Sequence, residues 1–256
     1  MKISAYYLQT LQNRIDIVGH NIANGNTIGF KETLQSLEEA FDTRELSNTV
    51  ALFGGVMPEV DYFNIQGNLY HGKRLDLSQG ALLQTDNPLD LAVNGTGFFQ
   101  VRTPDGRIGF TRTGIFMLDA RGQIVNNQGM LLEPEIPVPP HTFNIHVGND
   151  GKITGVVDGE PEVLGQIQLA EFDNPHGLEQ GGDNLFFASE ASGEPRTGVP
   201  GTNGLGIIQS GMLERSNANF VNAMTQLIQF QKAYQVELRT IKNQDEMFHQ
   251  AITMRG

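Results

Sequence analysis

The sequence predicts an α+β protein: long N- and C-terminal helices packed as a coiled coil, with a mainly antiparallel β middle of one or two modules. Three observations support this prediction. All but one of the 30 glycines and 11 prolines lie in residues 19–211, so both ends of the chain lack the residues that interrupt helices. Both ends also repeat apolar residues at heptad spacing. The middle carries turn residues about every eight to twelve positions, as antiparallel sheets do.

The C-terminal segment carries the longest heptad repeat. Apolar or aromatic residues recur every seven positions, and three more follow four positions later: Phe220, Leu227, Tyr234, Ile241 and Phe248, with Met224, Leu238 and Ile252. Such a stripe is the seam of a coiled coil. A helix over residues 216–254 is about 58 Å long at 1.5 Å per residue. It cannot bury its own stripe, so it needs a partner helix.

The N-terminal segment offers that partner. Its apolar residues follow spacings of three and four, at Leu8, Leu11, Ile15, Val18 and Ile22. We call these positions and those of the C-terminal stripe the assembly seam. The alternative is that each end is an ordinary amphipathic helix on a globular core, although such helices usually show a broader stripe and fewer repeats.

Residues 20–31 read His-Asn-Ile-Ala-Asn-Gly-Asn-Thr-Ile-Gly-Phe-Lys and end the first helix, because asparagine and glycine tolerate left-handed backbone. We expect Phe30 to anchor this turn by burying its ring. We also expect Gly29 to be replaced more easily by asparagine than by valine. Leu34, Leu37 and Phe41 predict a second helical segment at residues 31–41, and residues 43–65 are expected to be loop or short strand.

The middle of the chain reads as short strands separated by turns. A Gln-Gly…Leu-Asp-Leu unit begins at Gln66 and again at Gln79. Strands are expected at residues 97–101, 108–117, 123–125, 130–132, 143–147, 153–157, 166–172 and 185–188. Proline-rich residues 133–140 suggest a module boundary. The predicted domains are a helical domain of residues 1–42 and 212–256, a β module at 43–140, and a second module at 141–211 that ends in an exposed linker at 191–206.

Composition excludes several classes of partner and chemistry. The net charge of −12 and the pI near 4.8 argue against nucleic acid and against an anionic membrane surface. Cysteine is absent, so disulfides and thiolate sites are excluded. No apolar run is long enough for a cleaved export signal or a membrane span. We expect no membrane insertion, and an export route that needs no cleaved signal.

No catalytic, cofactor or metal motif stands out. The glycine-rich residues 94–97 open onto a strand rather than a helix, so they make a poor phosphate site. His141 and His146 are five apart around a strand and point to opposite faces. The closest carboxylate pair, Glu160 and Glu162, flanks a proline in an expected loop. We predict a protein that is not an enzyme and takes no cofactor. A carbohydrate-acting enzyme on a β scaffold and a monovalent adhesin or capping module stay open as alternatives.

Five blocks of sequence, in order along the chain, resemble the bacterial flagellar basal-body rod and hook family. Asn-Ile-Ala-Asn…Thr-x-Gly-Phe-Lys is similar to residues 21–31, and Asn-Pro-Leu-Asp-Leu-Ala…Gly-x-Gly-Phe-Phe to residues 87–99. Thr-Arg-x-Gly-x-Phe…Asp-x-x-Gly is similar to residues 111–122. Leu-Glu-x-Ser-Asn at 213–217 and residues 231–247 resemble the family's closing helix. The resemblance spans essentially the whole chain.

The resemblance implies a structural subunit of the flagellar basal body that polymerises into a hollow helical driveshaft. The terminal helices form the inner tube. Implied partners are further copies of the chain, other rod and hook proteins, and the flagellar export apparatus. The family's motif turn falls on Asn21, Asn24, Thr27, Gly29 and Phe30. Length favours a rod member, most like the distal rod, with a proximal rod or hook-like member as the alternative.

Overall fold

The computed structural model describes residues 2–40 and 68–253 of the 256-residue chain. The chain divides into two compact units. We call the first the terminal unit; it comprises Met1–Ile17, Thr33–Arg74 and Leu227–Gly256. The second, the β unit, comprises Val18–Glu32 and Leu75–Gln226. Each terminal helix contributes residues to both units.

Both ends of the chain are helical, as predicted. Helix α1 spans Lys2–Ala23 and helix α2 spans Phe220–Thr253, with 22 and 34 residues. The expected start of α2 at residue 216 was wrong by four residues. Asn219 caps the helix instead, because its side-chain oxygen accepts the N–H of Asn222 at 3.1 Å. In the described ranges, neither helix is long and apolar enough to cross a membrane.

The prediction of a second helix at residues 31–41 was wrong. Thr33–Ala40 is strand β1, and it pairs with β2, Asn68–Leu75, in a two-stranded sheet. Spacing alone could not reveal this, since the pairing partner lies far along the chain and tertiary pairing overrides local propensity. The expectation for residues 43–65 falls outside the described residues.

The other strands are short. They are β3 Leu82–Gln84, β4 Leu91–Asn94, β5 Phe98–Arg102, β6 Ile108–Thr111, β7 Phe116–Leu118, β8 Ile124–Asn126, β9 Leu131–Glu133, β10 Thr142–Val147, β11 Lys152–Val157, β12 Glu160–Gln166, β13 Leu169–Glu171, β14 Glu179–Gln180, β15 Leu185–Phe187, β16 Arg196–Gly198, β17 Ile207–Ser210 and β18 Met212–Glu214. Their ladders are antiparallel, which confirms the predicted antiparallel middle.

Four sheets make up the β unit. The largest has nine strands in the order β14-β15-β6-β5-β9-β8-β7, with β13 joining β5 to β16. A three-stranded sheet, β10-β11-β12, and the pairs β4-β17 and β3-β18 complete it. Strand β13 pairs with β5 across the proline-rich residues 133–140, so the chain on both sides of the suggested module boundary contributes to one sheet.

Two local expectations in the middle need correction. The single strand expected at 108–117 is two strands, because the chain leaves the sheet where Gly114 lies against Leu91; a Cβ on Gly114 would lie 1.5 Å from the Leu91 carbonyl oxygen. Residues 191–206 are not a simple linker into the last helix. They contain β16, and both β17 and β18 follow before α2 begins.

The core of the β unit is apolar and draws on several sheets. Its largest cluster joins side chains from the large sheet, the three-stranded sheet and the β4-β17 pair. Members include Leu91, Phe99, Phe116, Ile153, Ile167 and Ile208, all essentially without solvent exposure. A second cluster contains the rings of Phe98, Phe110 and Phe172, and the first two each pack edge to face against the third.

Candidate assembly site

The assembly seam is unevenly covered in the chain. On α1, Leu11 and Val18 are buried, while Leu8, Ile15 and Ile22 are half-buried. On α2, the half-buried seam residues are Leu227, Tyr234 and Ile241, whereas Phe220, Met224 and Leu238 are exposed. The side chains of Phe248 and Ile252 are not among those described. The chain therefore leaves a large part of the α2 stripe exposed.

Within the terminal unit, a contact between the helices involves residues that the heptad pattern did not select. The guanidinium of Arg14 on α1 lies 5.5 Å from the centre of the Phe230 ring on α2, which is cation–π range. Phe230 falls between two seam positions. The signal that could have found it is the high density of aromatic and apolar residues between 227 and 234.

The motif turn begins at Asn21 in the last turn of α1, continues past Ala23 and lies in the β unit. The side-chain N–H of Asn24 donates to the His20 carbonyl at 3.0 Å, and the Thr27 hydroxyl donates to the Asn24 side-chain oxygen at 3.2 Å. Asn21 is buried. The Phe30 ring is also buried, as predicted, with its centre 5.4 Å from that of His20. These contacts bind the turn to the end of α1.

Two features of the structure favour glycine at position 29. The sequence indicated the left-handed backbone but not the close approach of a distant segment. Its φ of +71° is in the left-handed region. Its N–H donates to the Glu214 carbonyl at 2.7 Å, and a Cβ at this position would lie 2.5 Å from the backbone nitrogen of Thr113. Asparagine tolerates the backbone angle better than valine but brings the same Cβ, so we expect both replacements to collide with Thr113.

We expect Gly29→Asn to lower the free energy of unfolding by about 1–3 kcal/mol through overpacking against Thr113. Gly106→Asn is a matched control, since Gly106 has a φ of +79° with no atom within 4 Å of an added Cβ. Urea unfolding of both purified variants measures the difference. Equal stabilities would show that the close approach at Gly29 relaxes without penalty.

Behind the turn lies a buried ion cluster. The Lys31 Nζ donates to the Glu214 Oε1 at 2.6 Å and to the Ser78 carbonyl at 2.7 Å. Arg112 reaches the other carboxylate oxygen of Glu214 at 3.4 Å and donates to the Gly95 carbonyl at 2.8 Å. Lys31 and Glu214 are each only 1% exposed. Two cations thus share one carboxylate inside the protein.

Burial dominates the electrostatics of this cluster. Desolvation lowers the pKa of Lys31, and the nearby Glu214 carboxylate opposes that shift. Desolvation likewise lowers the pKa of Arg112 against the same carboxylate. Since Glu214 is the acidic partner of both cations, removing its charge would leave both buried and unpaired.

Asn217 extends the cluster to the start of α2. Its side-chain oxygen accepts the backbone N–H of Glu32 at 2.7 Å, and its side-chain nitrogen donates to the Asp76 carbonyl at 2.8 Å. The N–H of Asp76 in turn donates to the Glu32 carbonyl at 2.8 Å. These bonds fix residues 76, 32 and 217 side by side, three residues before α2 begins.

Four of the five motif blocks therefore meet at one place, which we call the junction. Residues 29–31 of the first block contact Arg112 and Thr113 of the third block and Glu214 of the fourth, and Arg112 donates to backbone carbonyls in the second. The sequence did not single out Arg112 or Glu214 as site residues. Their only signal was their position inside these blocks.

The junction is a fixed structural arrangement rather than a reactive one. Its charges face each other and the backbone. Among the residues that the structure describes, no group of three or more histidine, cysteine, aspartate or glutamate side chains is placed to hold a metal. Glu160 and Glu162, expected in a loop, are exposed on strand β12. Fold and junction together define a protein with an antiparallel β unit and with helical ends that carry an apolar stripe.

Comparisons with known proteins identify its family. Three family models match: the flagellar hook protein FlgE/F/G D1 domain over residues 92–155, the flagellar basal body rod FlgEFG protein C-terminal over 209–254, and the flagella basal body rod protein over 7–31. The flagellar basal-body rod protein FlgG of Buchnera aphidicola (subspecies Schizaphis graminum) is 36% identical over 96% of this chain and 95% of the relative. FlgG of Caulobacter vibrioides is 33% identical over 100% and 99%.

A further relative, the flagellar basal-body rod protein FlgF of Caulobacter vibrioides, is 30% identical over 96% of this chain and 94% of its own. The chain belongs to the flagellar basal-body rod family. It is a structural subunit of the rod and localises to the flagellar basal body, which confirms the family and the function expected from the sequence.

Proposed function

We propose that the chain is a distal-type rod subunit that polymerises through its terminal helices into a hollow helical shaft. The observation that supports this most is the exposed seam on α2. Phe220 and Leu238 keep 55% and 44% of their surface exposed, although apolar stripes of this kind are stable only when covered. Neighbouring copies would cover them, with α1 and α2 packed as a coiled coil in the inner tube.

The junction gives this shaft its stiffness in our proposal. Within the β unit, it ties the segment that follows α1 to the chain just before α2 through buried ionic and backbone hydrogen bonds. A heterologous contact whose rotation does not close generates a helical filament. Many simultaneous copies of one contact then resist twisting, and torque passes from the motor to the hook. The motif turn Asn21, Asn24, Thr27, Gly29 and Phe30 would set the subunit angle.

The proposed domain arrangement follows from the same idea. Residues 1–42 and 212–256 would form the inner tube, and the β modules predicted at 43–140 and 141–211 would stand outside it. The lumen of the tube would be part of the export channel, and the flagellar export apparatus would deliver the subunit. Other rod and hook proteins would contact its two ends. A proximal rod or hook-like subunit of the same family stays the second candidate.

Counting copies tests this proposal against a capping or adhesive role. Quantitative mass spectrometry of isolated basal bodies should find the chain in dozens of copies per structure, because a helical shaft repeats one subunit many times. An internal standard from a basal-body ring protein fixes the scale. A stoichiometry of only a few copies per basal body would contradict polymerisation and favour a cap.

A further inference from the structure

The start of α2 carries an exposed apolar patch in the β unit. Its members are Phe220, Val221 and Met224, which are 55%, 71% and 40% exposed. Met224 adjoins the other two on the helix surface, because residues three and four positions apart are neighbours there. The opposite side of the same turn is covered, since Ala223 is only 3% exposed. The patch borders the motif turn, where a Phe220 ring carbon lies 3.9 Å from the place that a Cβ would take at Gly25.

Met224 has apolar neighbours in both directions along the helix. The positions four and three residues before it, and three and four after it, hold Phe220, Val221, Leu227 and Ile228. Side chains at these spacings lie beside it on the helix surface. None of these four side chains carries a hydrogen-bond donor. A polar atom at position 224 would therefore find no side-chain donor on its own helix face once the seam is covered.

Met247, which also lies on α2, is a matched comparison. It is 62% exposed and falls outside the assembly seam. Three of its four helix neighbours at the same spacings carry side-chain amides, namely Asn243, Gln244 and Gln250. An amide N–H can donate to a polar atom placed beside it. An oxygen added at Met247 would therefore have donors nearby, whereas an oxygen added at Met224 would not.

We propose that Met224 is a reversible oxidation site, and that its oxidation by hydrogen peroxide keeps the free subunit out of the shaft. The thioether sulfur attacks one peroxide oxygen, the O–O bond breaks, and water is released as the new S–O bond forms. The sulfur loses two electrons and the peroxide gains them. The product, methionine sulfoxide, puts a polar side chain where a flexible apolar one had been.

Oxidation removes the property that lets the patch be covered. A sulfoxide oxygen in a packed seam loses its hydrogen bonds to water, and burying a polar group without a partner is unfavourable. The inference rests on the proposed polymerisation, because the penalty arises only if the α2 stripe is covered in the shaft. It adds a chemical control to that function. Methionine sulfoxide reductases, which return the sulfoxide to the thioether with two electrons from a dithiol, would restore the subunit.

Assembly of purified chains with and without peroxide tests the inference. Each chain is treated with hydrogen peroxide, the peroxide is removed, and the concentration at which tubes form is compared with that of an untreated portion. We expect the unmodified chain to need a concentration on the order of tenfold higher after treatment, the effect of one unpaired buried polar group on a contact. Reductase and dithiol should reverse the change. Met224→Leu should give the same concentration in both portions, whatever its own value, and Met247→Leu should keep the response.

Peptide mass spectrometry locates the added oxygen. Met224 should oxidise on the order of tenfold more slowly in isolated rods than in the free subunit, because exposure governs oxidation. Met130, which is 9% exposed, should stay largely unoxidised in both, which shows that the treated chain is still folded.

The outcomes separate this inference from the function beneath it. Complete oxidation of Met224 without any change in assembly, or equal oxidation in rods and free subunit, would overturn the inference and leave polymerisation standing. A peroxide response that persists in Met224→Leu, or disappears in Met247→Leu, would assign the effect to another residue and overturn it as well. Failure of the untreated, unmodified chain to assemble would overturn the proposed function and this inference with it.

Discussion

Glu214→Gln should destabilise the chain by about 3–5 kcal/mol, the usual effect of breaking a buried ion pair by removing one partner. The substitution keeps the shape of the side chain but removes the carboxylate charge that Lys31 and Arg112 share. Both cations stay buried and lose their counter-charge. Urea unfolding of the purified subunit measures the change, and Glu194→Gln, at an exposed position, is the matched control.

Lys31→Met gives an internal check on this reasoning. It leaves Glu214 with one cation, Arg112, so that the cluster holds one positive and one negative charge. The Ser78 carbonyl that Lys31 contacts still accepts a bond from Asn217 at 3.2 Å. We therefore expect Lys31→Met to lower the free energy of unfolding by about 1–3 kcal/mol, because it loses hydrogen bonds to a charged group. This loss is smaller than that expected for Glu214→Gln. If the order is reversed, charge balance does not govern the junction.

Leu227→Asp should abolish assembly while leaving the β unit folded. Leu227 is a half-buried seam position on α2, and a carboxylate in a packed seam costs several kcal/mol at every repeated contact. Ile241→Asp should act in the same way. Gln229→Asp is the control, because it adds the same charge at an exposed position of the same helix. Rods recovered from cells at wild-type levels with Leu227→Asp would refute the seam assignment.

The sequence pattern predicted the structure correctly where the residues that determine a helix or a turn lie close together in the chain. The heptad spacing predicted both terminal helices, and the turn residues predicted half of the 18 described β strands. At Asp119, for example, the side chain accepts the N–H groups of Arg121 and Gln123, both at 2.8 Å, which is the short-range bonding expected of aspartate in turns. Burial of Phe30 followed from the same local reasoning.

Long-range pairing set the limit of prediction. Lys31 and Glu214 are 183 residues apart, and nothing in either local sequence indicates that they meet. The apolar spacing of strand β1 predicts a helix, whereas its pairing with β2 depends on tertiary contact. The lack of space for a side chain at Gly29 is due to the Thr113 backbone, which also belongs to a distant segment of the chain.

Electron microscopy of the purified full-length chain tests polymerisation most directly. At increasing concentration we expect helical tubes whose walls contain the paired terminal helices, and we expect none from Leu227→Asp at the same concentration. Gln229→Asp should form tubes like the unmodified chain. The contradicting result has two parts: the unmodified chain stays monomeric wherever Leu227→Asp does, and reconstituted basal bodies contain it only in a few copies. In that case the chain does not build a shaft through its helical seam.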